Sequence, residues 1–194
     1  MGAILAFFEQ ARVWLALLVI LTLALVWPGY GGRWFRRGEG LLSRFARSQW
    51  ACLGLAVGLF LFSCGLALLM WLPAPMVHDE FSYLLQADTF AHGRLANPPH
   101  LLWRFFENFH IIQHPTYASK YPPGQGLFLA LGQVLSNPIE GVWISTALAG
   151  AAVFWMLSAL FPKPWALAGA LLAILSPQVF AWNWCYWGGS VALL

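Results

Sequence analysis

Apolar residues run almost unbroken through 13–28, 50–72, 141–161 and 165–181, with a shorter run at 124–136. About 20 such residues carry an α-helix across ~30 Å of hydrocarbon. The pattern predicts an all-α polytopic membrane protein with about four to five transmembrane helices. Residues 1–194 then form one transmembrane domain. Its parts are a first membrane helix over 3–29, a basic cytoplasmic loop over 31–49 and a second helix over 50–72. An extracytoplasmic loop with short amphipathic helices follows over 73–123, and further membrane helices fill 124–194.

The breaks between runs sharpen this picture. Glu9, Gln10 and Arg12 interrupt the start of the first run. A cleaved signal peptide is the rival there, but the run leaves through Trp27-Pro28-Gly29-Tyr30 without a small-residue cleavage site. Trp50 and Trp71 bracket the second span at the depth where indoles settle. Gly54 and Gly58 form a G-x-x-x-G pair suited to close helix packing. Residues 136–140 end the short run 124–136, which either crosses or only dips in. A fresh apolar stretch opens near Gly188 and the sequence stops inside it at Leu194. That is the pattern of the N-terminal part of a longer protein or of a truncated product.

Composition supports lipid as the solvent. Hydrophobic residues make up 60% and charged residues 9%, against about 25% charged in soluble domains. The net charge is only +3, and Arg33, Arg36, Arg37, Arg44 and Arg47 cluster between the first two runs. A basic linker between apolar spans stays cytoplasmic, which turns the span 50–72 outward and places the long loop outside. This arrangement favours anionic lipid headgroups, and not nucleic acid, as the partner of the arginines. Cys52, Cys64 and Cys185 lie in apolar or aromatic surroundings and suggest no disulfide framework.

The polar chemistry is gathered in the loop. All five histidines, His78, His92, His100, His110 and His114, and both aspartates, Asp79 and Asp88, fall there. Asp79 and Glu80 follow the second span at once. Two readings stand side by side: a solvated helix N-terminus, where acids meet the positive end of the dipole, or a functional carboxylate pair with one pKa raised by its neighbour. Residues 81–91 read as an amphipathic helix that places Asp79, Tyr83 and Gln86 on one face and Leu84, Ala87 and Ala91 on another. Lys120 is the loop's one lysine, beside Tyr121 and a double proline. It suits a snorkelling interface cation, or a ligand for phosphate at headgroup depth. His110 and His114 have metal-ligand spacing on a helix, but Pro115 argues against a helix there. The sequence leaves room for a divalent cation and names no ligand set for one.

Three features together resemble the start of a GT-C superfamily membrane glycosyltransferase. They are the outward span followed by Asp79-Glu80, the stretch from Tyr83 to Gly93, and Lys120-Tyr121-Pro122-Pro123-Gly124 opening the next helix. The similar groups are the protein O-mannosyltransferases, the lipid A aminoarabinose transferases and the bacterial RgtA/B/C/D-like enzymes. The resemblance covers residues 50–136 and implies sugar transfer from a polyprenyl-phosphate donor, outside the cytoplasmic leaflet, to an acceptor that the sequence does not name. It implies an integral, multi-pass protein of the bacterial inner membrane. Asp79 falls where the family has its acceptor base, and Glu80 where its neighbour holds substrate or the active-site loop. Lys120 falls where some members place a cation on the donor phosphate. His78, Tyr83, Gln86, Arg94 and Tyr121 are further candidates for substrate contact. The sequence departs from the family in having no further acid in 181–189, where Asn183, Tyr186 and Trp187 stand. A non-catalytic membrane subunit or transporter fragment is the alternative, and a histidine-based metal hydrolase a third.

Overall fold

The computed structural model describes the backbone of residues 2–27, 29 and 32–194, and the side chains of 14–27, 29 and 32–194. The elements are α1 (Gly2–Val26), α2 (Gly32–Ala46), α3 (Ala51–Leu69), α4 (His78–Ala91), a 3-10 turn (Trp103–Phe105), β1 (Ile111–Ile112), β2 (Ala118–Ser119), α5 (Pro123–Leu135), α6 (Pro138–Ser158), α7 (Lys163–Ile174), α8 (Pro177–Trp182) and α9 (Gly189–Leu193). The fold is all-α, with β1 and β2 adding one short antiparallel hairpin, Ile111 opposite Ser119 and Ile112 opposite Ala118. The chain divides into two compact units, Met1–Leu42 and Ser43–Leu194, where the hydrophobic pattern suggested one.

In the first unit, α1 covers most of the expected first span, and its described side chains from Trp14 to Val26 are exposed. The side chains of Glu9, Gln10 and Arg12 and the exit residues Pro28 and Tyr30 lie outside the described residues. The basic segment 31–49 is helical over Gly32–Ala46, where a loop was expected. Its apolar Trp34, Leu41, Leu42 and Phe45 recur at helical spacing, apart from Arg33, Arg36, Arg37 and Arg44. Charge density concealed that period.

The second unit is built around α6, which packs against α3, α5, α7 and α9. Asn137 caps α6 by accepting from the Ile139 N–H at 3.1 Å; Pro138 and Glu140 in the first turn suit a helix N-terminus. The core joins Ala87, Leu129, Ala130, Ile139, Val142, Trp143 and Tyr186. α5 and α6 meet at Gly132 and Gly141, where a Cβ on Gly141 would lie 1.9 Å from the Phe128 carbonyl oxygen. Only glycine lets the two backbones approach so closely. The G-x-x-x-G pair on α3 does not act as a pair: the Phe45 ring covers Gly54, and Gly58 stands open. Instead α3 buries Leu55, Leu59 and Ser63, with Leu59 against Gly150 of α6.

Among the described residues, α3 and α6 are the helices long and apolar enough to cross a membrane. α5 has 13 residues and reaches only about 20 Å. The single run expected over 165–181 is broken into α7 and α8 at Ser176-Pro177. Proline lacks an N–H and drives the preceding residue out of helical geometry. α4 ends at Ala91; Gly93, just beyond, has a φ of 69° that closes the helix, with Arg94 N–H returning to the Thr89 carbonyl.

Candidate functional site

The first turn of α4 organises the polar loop. One stripe of the helix carries Asp79, Ser82, Tyr83 and Gln86, the spacing of a single helical face. Ser82 is fully buried; its hydroxyl donates to the His110 carbonyl at 2.7 Å and lies 2.8 Å from the Ser119 hydroxyl. Gln86 donates through Nε2 to the Tyr121 carbonyl at 3.0 Å. These bonds fix both ends of the β1–β2 hairpin against α4, with His110 just before β1 and Tyr121 just after β2.

The two anchored residues converge on Asp79. The Tyr121 hydroxyl donates to Asp79 Oδ1 at 2.5 Å. His110 Nδ1 lies 2.7 Å from the same carboxylate oxygen and 2.7 Å from the Tyr121 hydroxyl oxygen. Because that hydroxyl already donates to the carboxylate, the proton between imidazole and carboxylate belongs on Nδ1. In neutral His110, Nε2 is then left as an acceptor. The Asp79 side chain is 34% exposed, and its Oδ2 has no protein hydrogen bond among the described residues. The site thus presents two proton-accepting atoms to solvent, Asp79 Oδ2 and His110 Nε2. Burial, the Asp79 hydrogen bond and the Asp79 charge push the Tyr121 phenol up to about 12. Tyr83 stacks on Tyr121 with ring centroids 4.8 Å apart, and burial, followed by the Asp79 charge, raises its pKa as well.

Glu80, next in sequence, has a different environment. It is 3% exposed. Its Oε2 accepts from the backbone N–H of Met76 at 2.7 Å and of Val77 at 3.2 Å, and its Oε1 from that of Tyr186 at 2.9 Å. The carboxylate closes the first turn of α4 and fastens it to the segment before α9. This is a positioning role, and Glu80 is turned away from the open oxygen of Asp79.

The other expected contacts divide. His78 is exposed and stacks on His110 at 5.7 Å. Lys120 does not pair with Asp79; its ammonium lies 3.3 Å from the centroid of the Phe109 ring, a cation–π contact. Phe109 in turn packs edge-on to His110 and borders an open hollow of about 510 Å³ that Trp103, Glu107 and His114 also line. Arg94 lies past the far end of α4, about 20 Å from Asp79 along the helix axis, and is not part of the cluster. Asp88 is also remote, bonded to Gln133 and His92. His110 and His114 do not share a helix: β1 begins at Ile111, and His114 stacks on Trp103 at 5.1 Å. Among the described residues no group of three or more His, Cys, Asp or Glu could hold a metal ion.

The helical period pointed to Asp79, Tyr83 and Gln86. Ser82, at the same spacing, was missed because a hydroxyl carries little signal in sequence. His110 was weighed as a partner of His114; its meeting with Asp79 depends on the hairpin. Comparison with protein-family models, curated proteins and solved structures finds no match for this chain.

Proposed function

We propose that this chain is a membrane glycosyltransferase that moves a sugar from a polyprenyl-phosphate donor to an acceptor hydroxyl on the extracytoplasmic face. The observation that carries the reading is the Asp79 carboxylate, with one oxygen held by Tyr121 and His110 and the other open to solvent. A carboxylate held in this way can accept the acceptor's proton as the glycosidic bond forms. His110, oriented through Nδ1, would share or relay that proton. Negative charge developing on the leaving phosphate needs a cation nearby, and exposed Lys120, next to Tyr121, is within side-chain reach of the cluster.

The membrane setting is part of the proposal. α3 and α6 serve as crossing helices of a multi-pass protein in a bacterial inner membrane. Exposed Leu53, Val57 and Leu61 along α3 suit contact with acyl chains. The polar cluster begins at His78, after α3 has ended at Leu69, and would stand at the depth of a lipid phosphate. α2, basic on one face and apolar on the other, would suit a cytoplasmic membrane surface.

The test is transfer from a radiolabelled polyprenyl-phosphate sugar in proteoliposomes. Asp79→Asn keeps the shape and removes the base; transfer should fall ~10²-fold or more, in the range of general-base effects, with membrane insertion unchanged. Full activity in that variant would remove Asp79 from the chemistry and end the reading.

A further inference from the structure

The stretch from Pro98 to Phe109 carries its large apolar side chains outward. Leu101 is 96% exposed, and Phe105 and Phe109 are each 82% exposed. Yet the stretch is tied down at both ends and in its middle. Before it, Asn97 exchanges backbone hydrogen bonds of 3.0 and 2.8 Å with Tyr117, and its Nδ2 donates to the Thr89 hydroxyl of α4 at 2.7 Å. After it, the His110 carbonyl accepts from Ser82 of α4. Between these ties, buried Gln113 donates to the Phe106 carbonyl at 2.8 Å, and Trp103 stacks on His114. Apolar tips held out by so many bonds form a built surface. Exposed apolar surface of this kind marks contact with lipid or protein.

Charge and chain continuity choose between the two. Residues 98–122 hold one acid, Glu107, and two permanent cations, Arg104 and Lys120. Each cation lies over an aromatic ring of the stretch, Arg104 over Trp103 at 5.6 Å and Lys120 over Phe109 at 3.3 Å. Glu107 lines the hollow, together with Asn108, Gln113 and His114. Apolar tips with cations beside them match the step from acyl chains to phosphates at a lipid surface. The stretch is also held close to helices of crossing length. α4, to which both of its ends are bonded, packs on α5, and α5 packs on α6. We infer that this stretch inserts Leu101, Phe105 and Phe109 into the outer leaflet of the membrane, with Arg104 and Lys120 at the level of the lipid phosphates. His110 follows Phe109 directly, so the contact sets the height of the Asp79 cluster above the acyl chains. The inference rests on the membrane setting and not on sugar transfer.

The experiment uses the full chain in nanodiscs of phosphatidylethanolamine and phosphatidylglycerol. The photoreactive residue p-benzoyl-phenylalanine replaces Leu101, Phe105 or Phe109, one at a time, and after irradiation the intact protein is weighed by mass spectrometry. The same residue at Leu61, exposed on α3, is the positive control. Each of the three loop positions should gain the mass of one phospholipid, as Leu61 does. If the Phe105 or Phe109 variant fails to fold, Leu101, the most exposed of the three, decides alone. Lipid adducts at Leu61 with none at the loop positions overturn the inference, as do loop adducts to a second copy of the chain in place of lipid. No lipid adduct even at Leu61 removes the membrane setting, and this inference with it. Loop adducts to lipid in a chain without transfer activity sink the transferase reading alone. Transfer by a chain whose loop positions gain no lipid sinks this one alone.

Discussion

At the scale of single residues, the most informative group is the Tyr121 hydroxyl. Its pKa in the folded chain, about 12, lies above the value near 10 of a free tyrosine. Its contribution to stability is therefore whole below pH 10 and is lost as pH rises through 12. Ultraviolet titration of tyrosinate, taken as the difference between wild type and Tyr121→Phe, should place this group's midpoint near 12; a midpoint near 10 would show that the bond to Asp79 is not made. Asp79, Tyr83 and Gln86 were legible as one face because helical periodicity needs only local sequence. The partners that make Asp79 interesting were not, since His110 and Tyr121 reach it only after a hairpin has been fixed by Ser82 and Gln86. The Asp79-Glu80 doublet was ambiguous for a further reason. Adjacent helical residues point about 100° apart, and only packing decides which one is buried.

At the scale of elements, the crossing of α5 and α6 is the tightest joint in the second unit. Gly141→Ala would press a methyl group into the Phe128 carbonyl, and because backbone cannot yield as a side-chain tip can, the helices must separate. The expected cost is about 1–3 kcal/mol, the usual penalty for overpacking, read as a lowered thermal midpoint in detergent. An unchanged midpoint would mean that the two helices do not pack so closely. Helix existence was readable here because long apolar runs and proline starts are local signals: α3, α5 and α6 fall within a few residues of their expected places. The gap between α7 and α8 was written in Ser176-Pro177, but the surrounding hydrophobicity outweighed it. In α2 the reverse occurred, and four arginines drew attention from a regular apolar stripe.

Across the whole molecule, Glu80 ties the start of the polar loop to Tyr186, in the segment between α8 and α9. Glu80→Ala would leave the buried Tyr186 N–H without an acceptor and untie the residues before α4. Stability should drop by about 3 kcal/mol, since bonds to a charged acceptor are the stronger kind, and transfer should fall with it. Calorimetry of the variant checks the first part; a thermal midpoint equal to wild type would deny the tie. Because the bond from Tyr186 to Glu80 spans 106 residues of sequence, it also sets an order of assembly. At ~5–20 residues per second of synthesis, the donor from Tyr186 emerges about 5–20 s after its acceptor. Until the ribosome has passed that point, the turn bearing Asp79 lacks one of its fastenings, so the polar cluster matures late, after the membrane-length helices have already been made.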